Sequence, residues 1–171
     1  MKKILSLFIF IFLNLSPTIA YGKIVYIDIN LILNKSEIGK SLNKYLQEIN
    51  KKNIDSLKKL ENDLKNKEEI LISQKNILEK NEFEKKFNSL SIEVKDYRSE
   101  KKKLQDNLNN IKIENTQKIL ELLNPIITDF VEKNSISLVL PKKSIIVGQK
   151  KLDITDRIII LLNEQKKSLS F

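Results

Sequence analysis

Residues 40–123 read KSLNKYLQEINKKNIDSLKKLENDLKNKEEILISQKNILEKNEFEKKFNSLSIEVKDYRSEKKKLQDNLNNIKIENTQKILELL, with no Pro and no Gly. Apolar residues recur at Leu42, Leu46, Ile49, Leu57, Leu60, Leu64, Leu71 and Leu78, with polar residues at the rungs Asn53, Lys67 and Gln74. Steps of four and three are a heptad seam. A second seam runs Phe87, Leu90, Val94, Tyr97, Leu104, Leu108, Ile111, with Lys101 as its polar rung. Glu79-Lys80-Asn81-Glu82 is a wholly polar gap between the two seams.

The seams are mirror images. Folding the chain near residue 80 or 81 pairs residues whose numbers sum to about 161. Leu71 then faces Leu90, Leu64 faces Tyr97, Leu57 faces Leu104, and Leu78 faces Phe83. Two unrelated helices have no reason to match in this way. The pattern predicts an antiparallel helical hairpin turning around Lys80–Glu82. Each leg of roughly 40 residues is roughly 60 Å long. Two helices enclose no room for an active site, so such an arm reaches, holds or spaces something.

The chain has 171 residues, and about half go into this arm, so no large globular core remains. It carries 31 Lys and Arg against 22 Asp and Glu, no His and no Cys. Without Cys there is no disulfide framework and no thiol chemistry. Without His as well, the usual zinc sites and His-activated nucleophiles are excluded. Three glycines cannot build a phosphate-binding loop or a dinucleotide fingerprint. No cofactor or metal is expected, and enzyme activity is not expected either. The basic balance admits nucleic acid, anionic lipid or acidic clients. Acids are interleaved throughout, however, so a solvated lysine-rich surface explains most of it.

Residues 1–22 have the features of a secretory signal peptide. Lys2 and Lys3 precede an apolar run from Ile4 to Leu15, and Pro17 leads to a small-residue exit with cleavage after Ala20 or Gly22. The run is shorter than the roughly 20 residues of a membrane span. Removing Lys2 and Lys3 takes the formal charge from +9 to +7. Export also argues against a nucleic-acid partner.

Residues 23–39 form the first part of a body. Lys23–Ile29 (KIVYIDI) predicts a strand, Asn30–Asn34 a connector or first helical turn, and Ser36 a cap for the long helix. The arm occupies 40–123, and 124–171 returns to the body. Pro125 predicts a kink at this junction. Asn134 ends the helix, Ile136–Leu140 predicts a second strand, and Ser144–Val147 a third before Gly148. A last helix opens at Leu152–Asp156, with Asp153 or Thr155 as cap, and ends near Gln165. Asp28, inside the first strand, is expected to be structural.

Three apolar strands and one helix cannot cover themselves. The body is therefore expected to self-associate through Ile24, Val25, Ile27, Leu138, Leu140, Ile145 and Val147. Two features of the arm are candidates for binding. Ile70, Ile72, Ile77, Phe83 and Ile92 lie off the seams in its outer half, where they either thicken the hairpin or meet apolar clients. Lys58 and Lys59 lie level with Lys101, Lys102 and Lys103, as a solvated face or as a contact for an anionic partner.

Together, KIVYIDINLILNKSEIGK at the start of the exported chain, the charged hairpin, LLNPII at the junction, ISLVLPKKSIIV, and LDITDRII near the end resemble the Skp/OmpH family of periplasmic chaperones. The resemblance spans essentially the whole exported chain. It implies an α+β fold: a coiled-coil arm on a small β-strand body that assembles as a homotrimer, with tentacle arms around a cavity. It also implies an ATP-independent holdase, located in the periplasm, that keeps unfolded outer-membrane proteins from aggregating. The family's arms are often basic at their tips and can contact anionic lipid. Here Lys75–Lys86 holds four Lys against Glu79, Glu82 and Glu84, and the positive density sits further up, at Lys58/Lys59 and Lys101–Lys103. A structural spacer or adaptor of the cell envelope is the alternative function for such an arm.

Overall fold

The computed structural model describes residues 22–166; the expected signal segment lies almost wholly outside them. Strand β1 (Lys23–Ile27) leads into a short helix α1 (Ile29–Lys35) and the long helix α2 (Glu37–Ser73). After a turn, helix α3 (Lys80–Lys133) returns to strand β2 (Ile136–Pro141). Two 3-10 turns (Lys142–Ser144 and Lys150–Leu152) precede the last helix α4 (Thr155–Gln165).

The two strands pair in parallel, Ile24 opposite Leu138, Val25 opposite Val139 and Tyr26 opposite Leu140. Parallel strands need a crossover to bring the chain back to its starting end. Here the crossover is α1 and the whole hairpin. The arm is thus an insertion between two neighbouring strands, and its root is set by the sheet.

Local chemistry explains the entry into the arm. Asp28 caps α1, its Oδ1 accepting the Leu31 N–H at 3.0 Å. Ser36 is wholly buried, and its Oγ accepts the Gly39 N–H at 3.2 Å. Each cap satisfies a donor that the first helical turn leaves unpaired. At Gly39 a β-carbon would lie 1.8 Å from the Leu33 carbonyl oxygen. Only a bare Cα lets the end of α1 pack so close to the start of α2.

The core lies in the body. Val25 and Ile27 from β1, Ile32 from α1, and Ile38 and Leu42 from α2 meet Ile119, Leu123 and Ile126 of α3 and Ile158 and Leu162 of α4. Helix α3 runs unbroken through Pro125, which cannot donate to the carbonyl one turn back. Ser135 takes a positive φ of 50° as the chain turns from α3 into β2.

Polar contacts lock α4 in place. The Asp28 N–H donates to Thr155 Oγ1 at 2.9 Å, the Ile154 N–H to the Tyr26 carbonyl at 3.0 Å, and the Glu37 N–H to Asn163 Oδ1 at 2.8 Å. Asp153 accepts from the Thr155 hydroxyl and, at 3.0 Å, from its N–H. It thus ties down the first turn of α4 from the residue before the cap; the cap position itself is Ile154, without a side-chain bond, rather than the expected Asp153 or Thr155.

Three expectations need correction. The hairpin turns at residues 74–79, not at Lys80–Glu82, which form the first turn of α3. There is no third strand at Ser144–Val147 among the described residues: a 3-10 turn ends at Ser144, and Ile146 and Val147 stand 100% and 90% exposed. A strand exists only by pairing, and within one chain this segment has no ladder to join. Finally, β1 stops at Ile27, because Asp28 and Ile29 start a helix rather than extend the strand.

Candidate functional site

The mirror register of the seams is the register of the arm. Lys67 Nζ reaches Glu93 Oε2 at 2.7 Å, Lys86 Nζ donates to Gln74 Oε1 at 3.0 Å, and the Tyr97 hydroxyl donates to the Glu61 carboxylate at 3.4 Å. Lys67 and Gln74 are two of the polar rungs, and both are filled by a contact to the other leg. Lys67 also holds Asp63 at 3.0 Å. The hydrogen bond to Glu93, then that to Asp63, keeps its ammonium protonated above the ordinary 10.5.

This arm has little interior. Between Leu42 and Asn115 only Leu71 is buried. The seam residues Leu57, Leu64, Leu90, Val94 and Tyr97 are half-buried, and Leu60 and Phe87 are exposed. Two helices in contact cover one stripe of each other and leave the flanks of that stripe open.

The apolar residues singled out from the sequence lie on this open surface. Ile70 is 56% exposed, Ile72 65%, Ile77 81% and Ile92 61%. Phe83 is half-buried and stacks on Phe87 with ring centres 6.4 Å apart. Ile77 lies in the turn itself, while Ile70 and Ile72 are in α2 and Phe83 and Ile92 in α3. Lys58, Lys59, Lys101, Lys102 and Lys103 are all exposed. Two further exposed residues, Ile54 and Ile113, escaped the sequence reading. They carry the same signal, an isoleucine off the seam, but lie in the half of the arm nearer the body.

The body residues expected to associate divide into groups. Val25 and Ile27 are buried in the chain's own core, and Leu140 and Ile145 are half-buried. Ile24 and Leu138 are exposed and face each other across the strand pair. Val147 is exposed in the segment after β2, beside Ile146. That segment starts at Lys142, whose Nζ lies 3.2 Å from Asp153 and 3.8 Å from Asp28. Burial pushes the Asp153 carboxyl up, but the Thr155 donors and Lys142 outweigh it and hold it below the ordinary 3.8.

Among the described residues no group of three or more Asp or Glu could hold a metal, and no helix is long and apolar enough to cross a membrane. What the arrangement offers is a long, thin, partly apolar surface on a packed root.

Comparison with known proteins agrees with this architecture. No curated protein sequence matches the chain. The fold is similar to the crystal structure of an OmpH-like protein of Caulobacter crescentus CB15, described as a candidate outer membrane chaperone. The two share 18% identity with a TM-score of 0.79, over 89% of this chain and 90% of that one. The family described as "Outer membrane protein (OmpH-like)" matches residues 23–162, which covers both strands, the whole arm and most of α4. The chain therefore belongs to the OmpH-like family.

Proposed function

We propose that this protein is a periplasmic holdase, exported by its N-terminal signal, that binds unfolded outer-membrane proteins between its arms without ATP. One observation carries the reading. Between Leu42 and Asn115 the arm buries a single residue, yet it exposes Ile54, Ile70, Ile72, Ile77, Phe87, Ile92 and Ile113. An arm serving only as a spacer has no use for so much apolar surface in water. Burial of apolar area contributes about 25 cal/mol per Å², so several small contacts can hold a chain reversibly. The chaperone description of the similar Caulobacter protein supports the same reading.

A holdase of this shape needs several arms around one space, so the reading includes self-association through the body as a homotrimer. The proposed contact is the pair Ile24 and Leu138, side by side and uncovered on the sheet. Lys58, Lys59 and Lys101–Lys103 are proposed to speed capture of acidic chains, since exposed charge acts chiefly on association rate.

Dilution of a urea-unfolded outer-membrane β-barrel protein into buffer tests the proposal. With the chaperone present and no nucleotide, light scattering should stay near baseline. Scattering that rises as it does in buffer alone would rule out a holdase and leave the spacer.

A further inference from the structure

Gly22 is the first described residue and lies just outside β1, yet it is already packed on the body. A β-carbon there would lie 1.5 Å from Ser137 Oγ and 2.4 Å from Ser137 Cβ. Rotating the Ser137 side chain moves its Oγ aside but not its Cβ, so only a bare Cα fits. No glycine among the described residues has a positive φ, so Gly22 answers a demand for space and not for an unusual backbone. Ser137 is also where the strand register slips. Lys23 pairs with Ile136, but Ile24 pairs with Leu138. Ser137 is thus the extra residue of a bulge, the kind of place where a glycine lets another part of the chain come close.

The sequence offers two bonds to the peptidase that removes an export signal, which reads small residues just before the cut. Thr18 and Ala20 suit a cut after Ala20, and Ala20 and Gly22 suit a cut after Gly22. The fold tells these bonds apart. The bond between Gly22 and Lys23 joins a residue packed on Ser137 to the first residue of β1. Proteolysis needs a locally opened chain, so a body that folds while still attached to its signal withdraws that bond. The bond after Ala20 lies two residues further from the strand along the chain. A cut after Gly22 would also put an α-ammonium on Lys23, opposite the buried Ile136. A charge brought to the edge of the core favours fraying of that first rung.

We propose that the export signal is removed after Ala20, so that the exported chain begins Tyr21-Gly22 and Gly22 is part of the folded body. This rests on the export reading above and deepens it by assigning the processed bond. The step is hydrolysis. The Ala20–Tyr21 amide bond breaks, the oxygen of water ends on the Ala20 carboxylate, and its two protons end on the Tyr21 nitrogen as an ammonium. The two small residues then have separate tasks. Ala20 is read by the peptidase, and Gly22 makes room for Ser137 at the bulge between β1 and β2.

The full chain, produced with its own signal in a bacterial host that has a periplasm, is purified from whole cells for intact mass measurement and N-terminal sequencing. It should begin at Tyr21. A start at Lys23 would overturn the assignment and leave export standing. A start at Met1 would overturn the assignment and the export reading together. Gly22→Val gives a second answer. The residue before the cut must be small, so a cut after residue 22 would be blocked and uncut chain would accumulate. Processing should instead match wild type and again give a chain that begins at Tyr21. The urea midpoint of that product should lie below that of wild type, because its Cβ meets Ser137. In a Ser137→Gly background the same substitution should lower the midpoint much less. Accumulated uncut chain, or a midpoint equal to that of wild type, would overturn the role given to Gly22. The processing readout decides the matter even if the Gly22→Val chain fails to fold.

Discussion

Lys67 Nζ lies 2.7 Å from Glu93 Oε2 on the facing leg, at a rung where the heptad seam lacks an apolar residue. The polar residue replaces packing with a cross-leg ion pair that remains partly in water. Its contribution is present while Lys67 is charged. Since the folded arm raises the pKa above 10.5, that contribution is complete below this value and is lost as pH climbs past the raised one.

Such a rung holds register without making the arm rigid. Amide exchange should be fast from about Leu71 to Leu90 and slow in β1 and β2, because the outer arm has few buried contacts. Lys67→Leu should slow exchange in that stretch severalfold, and Lys67→Gln should speed it. Uniform protection along the arm would contradict this account.

The body should lose a defined part of its stability in acid. Asp153 is held below 3.8 when folded, so the fold favours its ionised form. The stabilisation is present above about 3.8 and lost as pH falls through the lower, folded value. Urea midpoints measured from pH 6 down to pH 2 should therefore fall less steeply for Asp153→Asn than for wild type. Parallel curves would show that the Thr155 and Lys142 contacts have no such role.

Self-association should depend on the sheet. Changing Ile24 and Leu138 together to Asp places two charges at paired, half-exposed positions while sparing the core residues Val25 and Ile27. Sedimentation velocity should show monomers with unchanged helical circular dichroism. An intact oligomer would move the interface elsewhere, and the exposed pair Ile146 and Val147 would be the next place to look.

Charge should act on capture. Lys101, Lys102 and Lys103, changed to Gln, should lower the association rate of an unfolded acidic client severalfold at low salt and flatten its salt dependence. Dissociation should hardly change. Stopped-flow fluorescence at two salt concentrations separates the two rates, and a slower rate that persists at high salt would point to damage rather than lost steering.

The parts of this fold that were legible in the sequence are those set by spacing. The seams set the hairpin and its register, since leucines at steps of three and four must share a face. The turn was misplaced because its residues, Gln74 to Glu79, include neither Gly nor Pro. The polar run at Lys80–Glu82 looked like a loop but is a solvated helical turn. Ser144–Val147 has strand composition, yet pairing depends on a neighbour that local sequence does not show. The division of Val25 and Ile27 from Ile24 and Leu138 was hidden for a similar reason. All four residues are apolar, and only the packing of α1, α3 and α4 decides which are covered.

The central claim is that the arms, rather than the body, hold an unfolded chain. Hydrogen exchange of the protein with and without an unfolded outer-membrane protein tests it most directly. The claim predicts added protection across Leu64–Gln74 and Phe83–Arg98, with β1, β2 and α4 unchanged. Protection confined to the body, or none anywhere while the client remains bound, would contradict it.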